Sequence, residues 1–126
     1  MDAFAVETLS LPQIRALYRE RMTRDFPPDE LKPLAMIEKA LARDEYVCYG
    51  AVNGGGILAY AYFVMLKENG KPYALFDYYA VRQDIRDRGV GSRFMQALLL
   101  MLMELARLCL RWGCACRLGL MYRTRM

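Results

Sequence analysis

The sequence predicts an α/β fold of the α+β kind: a mixed sheet with an antiparallel three-stranded meander at its centre, two helices before it and a long helix after it. Three observations carry that expectation. Two reversal signals, Asn53-Gly54-Gly55-Gly56 and Glu68-Asn69-Gly70, separate three β-rich runs. Two helical patterns precede them, divided by Phe26-Pro27-Pro28-Asp29. An unbroken helical pattern follows them, from Gly89 to Trp112.

In chain order, Asp2 to Thr8 alternates loosely and predicts a short first strand. Ser10 is the expected N-cap of the first helix, with Pro12 inside its first turn. Leu11, Ile14, Tyr18 and Met22 recur at helical spacing, with Arg15, Arg19, Glu20 and Arg21 between them. Pro27 pushes Phe26 out of the α region and ends that helix. A second helix is expected through Leu34, Ile37, Leu41 and Ala42 to Arg43. The meander strands are Tyr46 to Val52, Ile57 to Leu66 and Tyr73 to Val81.

On the long helix, Arg93, Gln96, Glu104, Arg107 and Arg111 form one narrow polar stripe, and nearly everything else is apolar. A membrane span needs roughly 20 apolar residues without such a stripe, so this reads as a core helix that a second element should also cover. Gly113 suits the C′ position after Trp112, and Ala115 to Tyr122 could form a last strand.

Composition narrows the function. At 126 residues, a single domain over 1–126 is expected. The net charge of +4 suits an anionic ligand but is too small to indicate nucleic acid. No basic and apolar leader opens the chain, so a cytoplasmic location is expected. The four cysteines (Cys48, Cys109, Cys114, Cys116) read as free thiols. There is no histidine, which excludes a histidine base and any histidine-ligated metal; no metal cofactor is expected.

The junction that carries chemistry is the strand end Tyr79-Ala80-Val81, then Arg82 to Arg88, then Gly89-Val90-Gly91-Ser92 opening the long helix. A helix N-terminus offers unpaired N–H groups and positive potential to a phosphate. Glycine at 89 and 91 lets a diphosphate approach the backbone, and Arg82, Arg86, Arg88 and Arg93 add charge. Two glycines also suit a plain tight turn. No Gly-Lys-Ser/Thr phosphate loop is present, and Gly89-Val90-Gly91 lacks the third glycine of a dinucleotide fingerprint.

Arg86-Asp87-Arg88-Gly89-Val90-Gly91 resembles the Q/R-x-x-G-x-G/A signature of the GNAT (Gcn-related) N-acetyltransferase superfamily. Tyr79-Ala80-Val81 is similar to the strand end that precedes it there, and Asp25 to Pro33 to the stretch between the first two helices of one bacterial subgroup. The resemblance covers roughly residues 2–112. It implies acetyl-CoA as cosubstrate, its diphosphate held by Arg86, Asp87, Arg88, Gly89, Val90, Gly91 and Ser92, and its pantetheine arm by Tyr79, Ala80 and Val81. The Val81 N–H would polarise the thioester carbonyl.

Transfer to an amine needs a proton acceptor. Histone-type members carry a glutamate at the position matching Leu75; Asp77 lies two residues on, on the same face of an ideal strand, and is the first candidate base. It reads equally as a structural carboxylate. Glu30 is second, bordering the acceptor site in the family, or else a solvated residue in a first helical turn. Tyr79 is expected to share Asp77's face and line the acceptor pocket, with Tyr78 turned the other way. The family's acid is a tyrosine after the fifth strand; only Tyr122 lies downstream here, and the C-terminal half reads as incomplete. That shortfall, with the apolar long helix, suggests a possible homodimer.

The leading expectation is an N-acetyltransferase acting on acetyl-CoA (or another acyl-CoA) and a small-molecule or peptide amine, without nucleic acid or membrane. The alternative is a non-catalytic, truncated GNAT-like CoA-binding or interaction module. A small basic nucleic-acid binder ranks third, lacking any stacking-aromatic motif.

Overall fold

The computed structural model describes residues 3–54, 56–111 and 120–121; side chains at 67–68, 71–72 and from 105 onward are not described. Strand β1 is Ala5–Thr8, helix α1 Leu11–Leu17, helix α2 Leu34–Ala42, and β2, β3 and β4 are Tyr46–Asn53, Gly56–Glu68 and Lys71–Val81. Helix α3 is Val90–Arg111, and β5 is Leu120–Met121. The sheet order is β1-β2-β3-β4-β5; the first four strands run antiparallel, and β5 is parallel to β4, pairing Leu120 with Ala74 and Met121 with Leu75.

The elements expected between Ala3 and Arg111 form. Ser10 caps α1 through a reciprocal capping box with Gln13, and Pro12 sits in the first turn. Beyond Leu17 the helix widens into a π turn, Tyr18–Met22, before a last α-helical turn at Thr23–Asp25. Arg21, read from the sequence as polar-face, instead turns inward: its Nη1 donates to the Ile57 carbonyl at 2.5 Å and its guanidinium lies 5.4 Å from the Tyr60 ring centroid. Leu11, read as apolar-face, is exposed, while Ile14, Leu17 and Met22 are buried.

Helices α1 and α2 cover one face of the sheet and α3 the other. The first face buries Ile14, Met22, Phe26, Ile37 and the tyrosines 46, 60, 62 and 78. The second buries Phe63, Phe76, Ile85, Phe94 and Leu98. Burial on both faces explains why the centre of β3, Leu58 to Phe63, is apolar without alternation. Arg15 and Glu38 join α1 to α2 at the surface.

The register slips between Tyr62 and Phe63. Tyr62 pairs with Tyr78 and Phe63 with Phe76, so Asp77 is an extra, unpaired residue, a β-bulge. Among the described residues no helix is long and apolar enough to cross a membrane. The Trp112-Gly113 helix end, most of the Ala115–Tyr122 strand, and Tyr122, Cys114 and Cys116 lie outside the described residues, as does the Cys109 side chain.

Candidate active site

The bulge decides which side chains meet. Asp77 is buried on the face covered by α1 and α2, where its Oδ2 accepts hydrogen bonds from Lys32 Nζ and the Tyr46 hydroxyl, both at 2.6 Å. The extra residue turns Tyr78 to that same face. Its hydroxyl donates to the Glu30 carbonyl at 3.0 Å and accepts from the Lys32 N–H at 2.8 Å, and its ring meets Phe26 edge-on at 4.9 Å. Tyr18 donates to the Lys32 carbonyl at 2.8 Å. Two tyrosine hydroxyls therefore hold the Lys32 backbone, which sets its ammonium against Asp77.

The expectation that Tyr79 shares Asp77's face, and that Tyr78 opposes it, is corrected. Strand alternation predicts it, but the bulge between the two residues reverses the alternation. Tyr79 lies on the α3 side, stacked on Phe94 at 5.8 Å, and its hydroxyl donates to the Gly91 carbonyl. Glu30 is half-buried in the turn between α1 and α2 rather than in the first turn of a helix.

A groove of about 430 Å³ opens where the end of β4 meets the N-terminus of α3. Tyr79, Ala80 and Val81 border it on the strand side, and Arg86, Asp87 and Gly89 to Ser92 on the loop side. Arg88 is exposed and is not among its lining residues. The loop bends through positive φ at Asp87 (69°) and Gly89 (76°), a region that aspartate tolerates and glycine enters freely. At Gly91 the reason for glycine is proximity: a Cβ there would sit 3.1 Å from Val81 Cγ2. The first turn of α3 is thus pressed onto the strand end.

Asp25 and Phe26 close the groove from the opposite side. Arg86 reaches back to both walls, donating to the Val81 carbonyl at 3.1 Å and lying 3.4 Å from Asp25, whose other oxygen accepts from the Tyr60 hydroxyl at 2.7 Å. Burial first, then Asp25, pushes the Tyr60 hydroxyl's pKa up; burial and then Asp77 do the same for Tyr46. Arg82 pairs with exposed Asp84 at 2.6 Å, and that bond holds the Asp84 carboxyl below its ordinary value.

A model of the acetyltransferase (GNAT) family matches residues 11–122. The chain belongs to the GNAT acetyltransferase family.

Solved structures share this acetyltransferase fold at low identity. An aminoglycoside acetyltransferase from an uncultured soil metagenomic sample, in complex with sisomicin, has a TM-score of 0.60 at 15% identity, covering 96% of this chain and 78% of that one. The ribosomal-protein-alanine N-acetyltransferase from Brucella melitensis biovar Abortus 2308 has 0.58 at 17%, covering 94% and 80%. Glucosamine-6-phosphate N-acetyltransferase from Arabidopsis thaliana has 0.59 at 14%, covering 98% and 84%. A search of curated protein sequences returns no match.

Lys32 and Tyr46 were not legible as site residues. Lys32 is one charge in a proline-bounded loop and Tyr46 one aromatic opening a strand, and only the fold brings them to Asp77. Asp25 lay in the stretch that resembles the family, yet its link to Arg86 spans 61 positions.

Proposed function

We propose that this acetyltransferase binds acetyl-CoA in the groove at the N-terminus of α3 and passes its acetyl group directly to a primary amine. One observation supports the reading: a single strand, β4, borders the groove with Tyr79 to Val81 and carries the buried Asp77 carboxylate at its bulge, two residues before Tyr79. In the fit we propose, the first-turn N–H groups from Gly89 to Ser92 and the Arg86 guanidinium hold the diphosphate. The strand end at Tyr79 to Val81 takes the pantetheine arm, and the Val81 N–H polarises the thioester carbonyl.

The amine nitrogen attacks the carbonyl carbon, a C–N bond forms, the C–S bond breaks, and the thiolate leaves to take a proton from solvent. Asp77, positioned by Lys32 and Tyr46, accepts through intervening water the proton the amine gives up. Glu30 is the second candidate for that role, from the turn above. Tyr79 acts through the shape of the cofactor groove, since its hydroxyl is committed to Gly91.

A second reading, a CoA-binding module without turnover, has one observation in its favour: Lys32 and Tyr46 both bond Asp77 Oδ2, as in a structural tether. Thermal unfolding with acetyl-CoA, CoA and ATP separates the readings. Ligand at about 100 times Kd should add about 2.7 kcal/mol of stability. A CoA-specific shift with thiol release on an amine panel supports the transferase. The same shift without thiol release supports the module, and no shift with acetyl-CoA or CoA sinks both.

A further inference from the structure

We infer that Asp25 is a latch residue: it holds Arg86 against the strand end, and it passes to Arg21 when a diphosphate draws Arg86 away. The inference rests on the diphosphate fit proposed above and names the partner that Arg86 gives up to make it.

The groove at the N-terminus of α3 is lined by Asp25, Val81 and Arg86 together. Arg86 joins the other two: its Nε donates to the Val81 carbonyl at 3.1 Å, and its Nη2 lies 3.4 Å from Asp25 Oδ1. A guanidinium is one rigid planar fork, so the arm offered to a diphosphate is already bridging strand end and aspartate. The two partners differ in freedom. The Arg86 side chain is 48% exposed, whereas that of Asp25 is 16% exposed and is fixed through its other oxygen by the Tyr60 hydroxyl at 2.7 Å. Arg86 is therefore the member that moves. A long ion pair with one exposed partner is weak, and a guanidinium grips a phosphate through paired charge-assisted hydrogen bonds. The exchange runs towards the phosphate.

Asp25 keeps a countercharge through that exchange. Arg21, one turn earlier in the same helical segment, lies over the Tyr60 ring with its Nη1 on the Ile57 carbonyl. Its Nε and Nη2 are buried and have no hydrogen-bond partner. Buried donors left without an acceptor are costly, so Arg21 gains from any carboxylate that turns to it. Asp25 is the one at hand. Burial lowers the Arg21 pKa, and Tyr60 and then Asp25 oppose that lowering, so the guanidinium already feels the aspartate's charge. Tyr60 touches both residues, Arg21 through its ring and Asp25 through its hydroxyl. Arg21 and Arg86 thus compete for one carboxylate, and a ligand that takes Arg86 settles the competition in favour of Arg21.

The test measures acetyl-CoA affinity by calorimetry in the wild type and in Asp25→Asn, Arg21→Met and Arg86→Gln, singly and in pairs. Thermal unfolding checks that each variant folds. Asp25→Asn keeps an acceptor for Tyr60 but releases Arg86, so acetyl-CoA should bind about two- to fivefold more tightly, the range of an exposed ion pair. Arg21→Met leaves Asp25 to Arg86 alone, so affinity should fall by a similar factor. Damage to the fold would weaken binding in both variants. The gain should disappear when Arg86 is already Gln, and the loss when Asp25 is already Asn. Weaker or unchanged binding in Asp25→Asn, or a gain of the same size without Arg86, overturns the latch and leaves the diphosphate reading standing. Acetyl-CoA affinity that Arg86→Gln leaves unchanged sinks the diphosphate reading and the latch together. Where Asp25→Asn does not fold, Arg21→Met decides: a loss that Arg86→Gln removes upholds the latch, and no loss overturns it.

Discussion

The Tyr79 hydroxyl donates a hydrogen bond to the Gly91 carbonyl, fastening the end of β4 to the first turn of α3. A side chain on Gly91 would meet Val81 at 3.1 Å and the same Tyr79 hydroxyl at 3.6 Å. The glycine at this point of the family signature therefore serves packing, since strand and helix end together shape the groove at the N-terminus of α3.

Gly91→Ala sets the close contact of a Cβ with Val81 against the roughly 1 kcal/mol that alanine gains over glycine in a helix, so stability should change by no more than about 1 kcal/mol. Gly91→Asp adds a negative charge at the helix N-terminus and should abolish acetyl-CoA binding. Calorimetry on the folded variants checks both, and acetyl-CoA affinity that survives Gly91→Asp removes this loop as the diphosphate site.

Gly89→Ala probes a different physical term. Space around Gly89 is open, but φ of 76° costs a β-carbon-bearing residue about 1–2 kcal/mol. Denaturant unfolding should show that loss. An unchanged midpoint would mean that the loop relaxes to another conformation.

Asp77→Asn should lower kcat by about 10²–10⁴-fold, the range of general base catalysis, with the KM for acetyl-CoA unchanged. Undiminished kcat would assign Asp77 a structural role and pass the proton to Glu30, whose Glu30→Gln variant is the companion measurement.

The tyrosines make the fold sensitive to alkali. Tyr46, Tyr60 and Tyr62 all have raised pKa values, with burial the largest cause in each. A raised folded-state pKa gives stability that is complete below the unfolded value, about 10, and lost as pH climbs above it. Each such tyrosine should cost about 1.4 kcal/mol per pH unit there. Unfolding followed by circular dichroism from pH 9 to 12 should show a cooperative loss that coincides with the phenolate absorbance of these three tyrosines, read as the difference between wild type and each Tyr→Phe variant. Their phenolates appearing while the fold persists would contradict the burial.

Cys48 is buried, and burial followed by Asp77 pushes its thiol pKa up. It should resist alkylation by iodoacetamide at pH 8 in the native protein and react only on unfolding. Peptide mass mapping reads the site directly, and rapid native labelling would be at odds with its place under α1 and α2.

The elements were legible in the sequence because their signals are local. Ser10 and Pro12 mark a helix start, Asn53 to Gly56 mark a reversal, and Gly89 to Ser92 open a helix after a strand, each through the conformational preferences of a few adjacent residues. The turn from Arg86 to Ser92 was legible for the same reason. Which face each β4 side chain takes was not. Asp77 is the extra residue of a bulge whose existence depends on register with β3, and alternation read along one strand cannot see its neighbour. The tertiary structure alone decided that Asp77 joins Tyr78 rather than Tyr79, and that Lys32 and Tyr46, 45 and 31 positions away, converge on its carboxylate. Period and turn chemistry act between adjacent residues. A site is a coincidence in space, and only packing brings its members together.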